Sequence, residues 1–104
     1  MLGIDLTQIS EFQTKFSKPG VLEKVFTDQE LRENTRTESL AGIFAAKEAF
    51  FKALGEKKDW LDVWIEKLPS GQPQIKSVYL KPEQKALVSI SHSGDYATAI
   101  VTIV

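Results

Sequence analysis

Apolar residues recur every three or four positions between Glu38 and Leu54: Leu40, Ala41, Phe44, Ala45, Ala49, Phe51 and Leu54, with Gly55 directly after. That spacing predicts an amphipathic helix that stops at the glycine. Before it, Met1 to Leu6 reads as a short strand in which Gly3 allows a close backbone approach. Thr7 to Phe16 reads as a helix capped by Thr7, with Ile9, Phe12 and Phe16 at helical spacing. Pro19-Gly20 breaks the chain, and Val21 to Phe26 is a short helical piece. Thr27-Asp28-Gln29-Glu30 has the form of a capping box, opening a short helix that Asn34-Thr35 weakens. After Gly55 the period changes to two. Leu61, Val63 and Ile65 alternate with Asp62, Trp64 and Glu66, which predicts a strand over Trp60 to Leu68. Pro69 to Pro73 is a turn, Ile75 to Leu80 a strand, and Pro82 to Lys85 another break. Leu87 to Ser91 and Ala97 to Val104 are strands joined by a turn at His92-Ser93-Gly94-Asp95. A strand, then helices, then strands linked by short turns predict an α+β fold, with an antiparallel sheet packed on one long helix plus short helices. The 104 residues contain no repeat, low-complexity segment or linker and predict a single domain over 1–104.

Composition narrows the function classes. A chain this short buries a modest core, so assembly with other copies is a natural remedy. With 13 basic and 14 acidic residues the net charge is -1, which gives no general attraction to nucleic acid or to an anionic membrane. There is no cysteine, so disulfides, thiolate metal sites and cysteine nucleophiles are excluded. The N-terminus lacks the basic and apolar regions of a signal peptide, and no run approaches the ~20 apolar residues of a membrane helix. The expectation is a soluble, cytoplasmic protein.

Three places hold residues suited to chemistry. Glu48 stands four positions after Phe44 and three before Phe51, on or beside the apolar stripe, where a carboxylate needs a partner. Lys52 shares its face, so an i,i+4 ion pair is one reading and a functional carboxylate the other. Lys47 points about 100° away around the helix, toward solvent or another subunit. Asp5 ends an apolar strand; it is either a turn residue or a ligand for a hard cation such as Mg²⁺, which takes one or two carboxylates and completes its shell with water and phosphate. His92, the only histidine, lies within Ser89-Ile90-Ser91-His92-Ser93. This is either a polar turn or a group that binds phosphate or moves a proton. No G-x-S-x-G elbow, P-loop or G-x-G-x-x-G is present.

Five segments in order carry a resemblance: Gly3-Ile4-Asp5-Leu6, Phe26 to Leu31, Ala41 to Gly55, Gly71-Gln72-Pro73 and Ser89 to Ser93. Together they resemble the holo-acyl-carrier-protein synthases, the small single-domain class of 4′-phosphopantetheinyl transferases, over nearly the whole chain. The Phe44 to Gly55 block is the most specific part. The resemblance implies a 4′-phosphopantetheinyl transferase-like fold. It also implies transfer of 4′-phosphopantetheine from coenzyme A to a serine of an apo-acyl carrier protein, serving fatty-acid or secondary biosynthesis. The serine attacks the β-phosphorus and 3′,5′-ADP leaves. By position it implies Asp5 and Glu48 as Mg²⁺ ligands, and Lys52 as a phosphate-neutralising or proton-transferring group. It implies Ser91, His92 and Ser93 as contacts to the nucleotide phosphates, and Gly71 and Pro73 as a turn against the adenine. It further implies a homotrimer with active sites at the subunit interfaces.

Four positions depart from the family pattern. Ile43 stands where Arg is usual, Gln72 where Lys is usual, and Glu11 at about the place of an Arg that docks the acidic carrier protein. Glu56-Lys57-Lys58-Asp59 replaces a Gly-rich loop, with Lys57 and Lys58 as candidate replacements for the missing cations. These losses motivate an alternative: a catalytically weak module of the same fold that binds coenzyme A or the carrier protein.

Overall fold

The computed structural model describes residues 1–104. Five strands and three α-helices run in the order β1 (Leu2–Gln8), α1 (Ile9–Lys15), α2 (Asp28–Glu33), α3 (Thr37–Leu54), β2 (Val63–Lys67), β3 (Pro73–Ser77), β4 (Ala86–Ser93) and β5 (Tyr96–Ile103), with single 3-10 turns at Leu22–Lys24 and Trp60–Asp62. The fold is α+β, as the alternating periods predict. The strands divide into two antiparallel sheets, one ordered β1-β5-β4 and the other the β2-β3 hairpin.

Helix α3 is the spine. It stops at Gly55, whose φ of 85° turns the chain so that the Glu56 N–H also reaches the Phe51 carbonyl, at 3.2 Å. One side of α3 lies on β1 and β5. The approach is close because residue 3 is glycine: a Cβ there would stand 1.9 Å from the Ala49 carbonyl oxygen and 2.7 Å from the Ala53 nitrogen. Ala97, Ala99, Val101 and Ile103 of β5 turn their side chains to the helix and are buried. Phe12, Phe16, Phe26, Phe44 and Trp60 close the other side in a run of tilted and edge-on ring contacts that ends with Trp60 stacked on Phe44.

Several local expectations need correction. Thr7 is a strand residue and not a helix cap. Pairing of β1 with β5 continues to Gln8 opposite Tyr96, and the Thr7 hydroxyl donates to Asp5 Oδ2 at 2.8 Å. Helix α1 is capped from far along the chain. Asp95, in the β4–β5 turn, accepts from the Ser10 N–H at 3.0 Å and the Ser10 hydroxyl at 2.6 Å, and its carbonyl accepts from the Ile9 N–H at 2.7 Å. The strand expected from Trp60 starts only at Val63, because Asp59 accepts from the Leu61 N–H and begins a turn. The strand expected to run to Leu80 ends at Ser77. His92 and Ser93 lie in β4, so the turn is confined to Gly94 and Asp95.

Lys47 faces neither solvent nor a subunit surface. Its side chain is 0% exposed and its ammonium bonds Glu30 Oε1 and the Val25 carbonyl, each at 2.7 Å. Glu30, 1% exposed, completes the predicted capping box with Thr27 and also accepts from the Ile65 N–H at 2.8 Å. One carboxylate thereby ties the start of α2 to α3 and to β2. Burial pulls the Lys47 ammonium below the ordinary lysine value, against the attraction of Glu30. The far face of the three-stranded sheet carries Leu2, Ile4, Leu6, Leu87 and Ile100, all exposed.

Candidate active site

Asp5 points toward α3 because β1 alternates. Leu2, Ile4 and Leu6 point outward, while Gly3, Asp5 and Thr7 point to α3. Glu48 comes from α3 itself. Asp5 and Glu48 line one pocket of 260 Å³, whose floor is aromatic (Phe12, Phe16, Phe44) and whose rim carries Glu11, Lys15 and Lys57. The strand and helix that sequence spacing left unconnected are thus brought together, at the point where Gly3 lets them touch.

Each carboxylate has its own lysine. Lys52 bonds Asp5 Oδ1 at 3.2 Å and the Ile4 carbonyl at 3.0 Å. It does not pair with Glu48, so the i,i+4 ion pair is absent. Lys57 takes that place, with Nζ 2.8 Å from Glu48 Oε1. Glu48 Oε1 is shielded from solvent, and the Lys57 ammonium is the one charged group against it. A carboxylate oxygen withdrawn from water and held only by one exposed lysine is poorly compensated, and fits a place where a cation could bind. The donor chemistry suits a hard cation. Asp5 and Glu48 supply oxygen, and no group of three or more His, Asp or Glu forms an all-protein shell. Mg²⁺ is commonly bound by two carboxylates, with water and substrate phosphate completing the shell.

A second pocket, of 300 Å³, opens beside the other end of α3 and collects His92, Gly71 and Pro73 with Ile43, Lys67 and Glu38. Glu38 is held below the ordinary carboxylate range, foremost by its own backbone N–H at the start of α3, with smaller pulls from Arg36, 2.7 Å away, and His92. Ser91 and Ser93 do not join His92 there. Along β4 alternate residues face opposite ways. His92 sits opposite the buried Ala97, and Ser91 opposite Thr98 on the outer face. The expected set of nucleotide contacts is split by the pleat of one strand. Within one chain the two pockets share no lining residue.

Three contributors escape a reading by spacing. Thr7 orients Asp5 through a bond two residues along the same strand face. Lys67 stands in the His92 pocket, and Lys57 on Glu48. Thr7 and Lys67 had a usable signal, the i,i+2 alternation with Asp5 and with Val63 and Ile65; Lys57 lies in a loop, where no period applies.

Comparison with known proteins follows the same lines. The family model described as the 4′-phosphopantetheinyl transferase superfamily matches residues 1–101. A holo-[acyl-carrier-protein] synthase of Nitratiruptor sp. is 33% identical over 114 residues, covering 100% of this chain and 98% of the relative. One from Shouchella clausii is 39% identical over 113 residues, covering 98% and 95%. Among solved structures, the Helicobacter pylori holo-[acyl-carrier-protein] synthase in complex with coenzyme A superimposes with a TM-score of 0.91 at 32% identity, with 100% of both chains covered. That of Bacillus anthracis in complex with CoA (3′,5′-ADP) has a TM-score of 0.85 at 30% identity, covering 98% and 93%.

Proposed function

This chain belongs to the 4′-phosphopantetheinyl transferase superfamily, and from that premise we propose that it is a holo-acyl-carrier-protein synthase. It transfers 4′-phosphopantetheine from coenzyme A to the hydroxyl of a carrier-protein serine. In that step a bond forms between the serine oxygen and the β-phosphorus, the bond from that phosphorus to 3′,5′-ADP breaks, and the serine loses its proton. Such chemistry depends mainly on positioning and on offsetting charge.

The observation that carries this reading is the meeting of Asp5 and Glu48 in one pocket, with Glu48 Oε1 withdrawn from solvent and partnered only by the exposed Lys57. Asp5 and Glu48 are the residues that would hold Mg²⁺. When bound, the ion offsets the negative charge of the pyrophosphate. Thr7 keeps the Asp5 carboxylate oriented, and Lys52 brings a positive charge to the rim beside it, suited to a phosphate oxygen. His92, Gly71 and Pro73 form the nucleotide side of the site.

Because the two pockets are separate within a chain, the working site is composite, with Asp5, Glu48 and Lys52 of one protomer facing the His92 pocket of another. The exposed Leu2, Ile4, Leu6, Leu87 and Ile100 support a homotrimer as the assembly that covers this apolar face. No helix is long and apolar enough to cross a membrane, and the absence of cysteine fits a reaction in the cytoplasm.

The test is intact-mass spectrometry of an apo-acyl carrier protein incubated with this protein, coenzyme A and Mg²⁺, beside a chelator control. A metal-dependent gain of one phosphopantetheine on the carrier is expected. Binding of coenzyme A without any gain, across several carriers, would replace the transferase with a binding module and point to Ile43, Gln72 and Glu11 as the reason.

A further inference from the structure

After Gly55 the chain passes through Glu56-Lys57-Lys58-Asp59 before the Trp60 turn. The two lysines of this loop part company. Lys58 pairs with Glu56 at 3.4 Å and stands over the Tyr79 ring. Lys57 turns to the active-site pocket, with Nζ 2.8 Å from Glu48 Oε1 and 4.7 Å from the centre of the Trp60 ring. That ring is a fixed platform, stacked on Phe44 and met edge-on by Phe51.

Three features make the Lys57 contact exchangeable. The Lys57 side chain is 60% exposed, so its charge remains partly hydrated and the pair is weak. No hydrogen bond holds the two groups, since Glu48 Oε1 accepts none. The Trp60 ring already stands 4.7 Å from the ammonium, so Lys57 keeps a partner when the carboxylate oxygen is taken. No other lysine stands on Glu48, because Lys52 is engaged by Asp5 and the Ile4 carbonyl.

We infer that Lys57 is a tethered competitor of the divalent cation: it occupies the buried Glu48 oxygen while the ion is absent, and the ion takes that oxygen only by displacing it. This rests on the reading of Glu48 as a metal ligand. An ammonium and a divalent cation cannot share one oxygen without strong repulsion. The device lowers the affinity of the empty site for metal. It also leaves a positive charge against Trp60, beside Phe44 of the pocket, once the ion has entered.

Direct binding of Mn²⁺ to the protein without coenzyme A, read by electron paramagnetic resonance of the free ion, tests this independently of turnover. Lys57→Met keeps the length of the stem over Trp60 and removes the charge. Releasing a pair of this exposure predicts roughly two- to five-fold tighter Mn²⁺ binding. Lys57→Arg keeps the charge and should bind as the wild type does. Lys15→Met is the control for general electrostatics. Lys15 lines the same pocket but rests on the Phe16 and Phe44 rings, and its loss should leave the affinity close to wild type. Unchanged affinity in Lys57→Met, or an equal gain in Lys15→Met, overturns the inference while leaving Glu48 as a ligand. Wild-type affinity in Glu48→Gln would instead overturn the metal-ligand reading, and the inference with it.

Discussion

The buried Glu30–Lys47 pair makes the largest single prediction. In Lys47→Met the side chain keeps its length and apolar stem, so packing in α3 changes little. What it loses is the ammonium that serves Glu30 Oε1 and the Val25 carbonyl at 2.7 Å each and approaches the Trp60 carbonyl at 3.4 Å. Glu30 stays 1% exposed and charged, with only the Thr27 and Ile65 N–H groups, at 2.9 and 2.8 Å, to stabilise it. Breaking a buried pair from one side costs about 3–5 kcal/mol, because the remaining charge is uncompensated. Whole-domain stability is on the order of 5–15 kcal/mol, so the variant should sit near the edge of folding. At about 4–8 °C per kcal/mol the melting temperature should fall by roughly 12–40 °C. Urea unfolding followed by tryptophan fluorescence suits the question, since Trp60 is in contact with the pair; wild type and variant must be compared at one protomer concentration. Adding Glu30→Gln to Lys47→Met removes the stranded charge and keeps an amide oxygen for the Ile65 N–H, so the double variant should be more stable than Lys47→Met alone. A loss below about 1 kcal/mol in Lys47→Met, or a double variant no better than the single, would refute the reasoning and show that two backbone N–H bonds suffice for Glu30.

Other perturbations separate the site from the scaffold. Glu48→Gln is nearly isosteric and should melt close to wild type while turnover falls by about 100-fold or more, since even outer-shell partners of a metal are worth about 10–100-fold; full activity in the mass assay would remove Glu48 from the site. Gly3→Ala should destabilise by about 1–3 kcal/mol or more, because the new methyl meets backbone atoms of Ala49 and Ala53 that cannot rotate away; an unchanged melt would refute the close approach. Asp95 is held below its ordinary value of 3.8 by the Ser10 hydroxyl, with the Ser10 N–H adding to it. A depressed carboxylate contributes stability that is present above pH 3.8 and lost as pH falls through the folded value. Asp95→Asn should therefore flatten the fall of melting temperature with pH below about 4, and an unchanged slope would count against this cap. Ile4→Lys places a charge on the exposed sheet face and should yield a monomer by sedimentation with little transfer activity; an assembled, active variant would refute the composite site.

The residues that speak through local rules were readable without a structure. The period of three to four residues marks α3, Gly55 marks its end, and Thr27 with Glu30 marks the start of α2, because each signal acts within one or two turns of chain. The segments that carry the family resemblance also stand in the sequence as short ordered strings, and Asp5 and Glu48 are singled out there as carboxylates in apolar surroundings. What only the tertiary structure decides are the contacts made between distant positions. Thr7 carries a good cap side chain, yet strand pairing with Ala97 claims it and Asp95 caps the helix from 85 positions away. Lys47 looks like a surface residue on a helical wheel, and becomes the most buried cation because α2 and β2 cover the side of α3 that a one-sided amphipathic reading leaves wet. His92 is separated from Ser91 and Ser93 by the pleat, which depends on which face of β4 meets the helix. Lys57, in a loop without periodicity, reaches Glu48 because the chain turns at Gly55 and docks Trp60 on Phe44 and Phe51. Local spacing determines which elements form; only packing decides which face of each is covered, and therefore which charges meet.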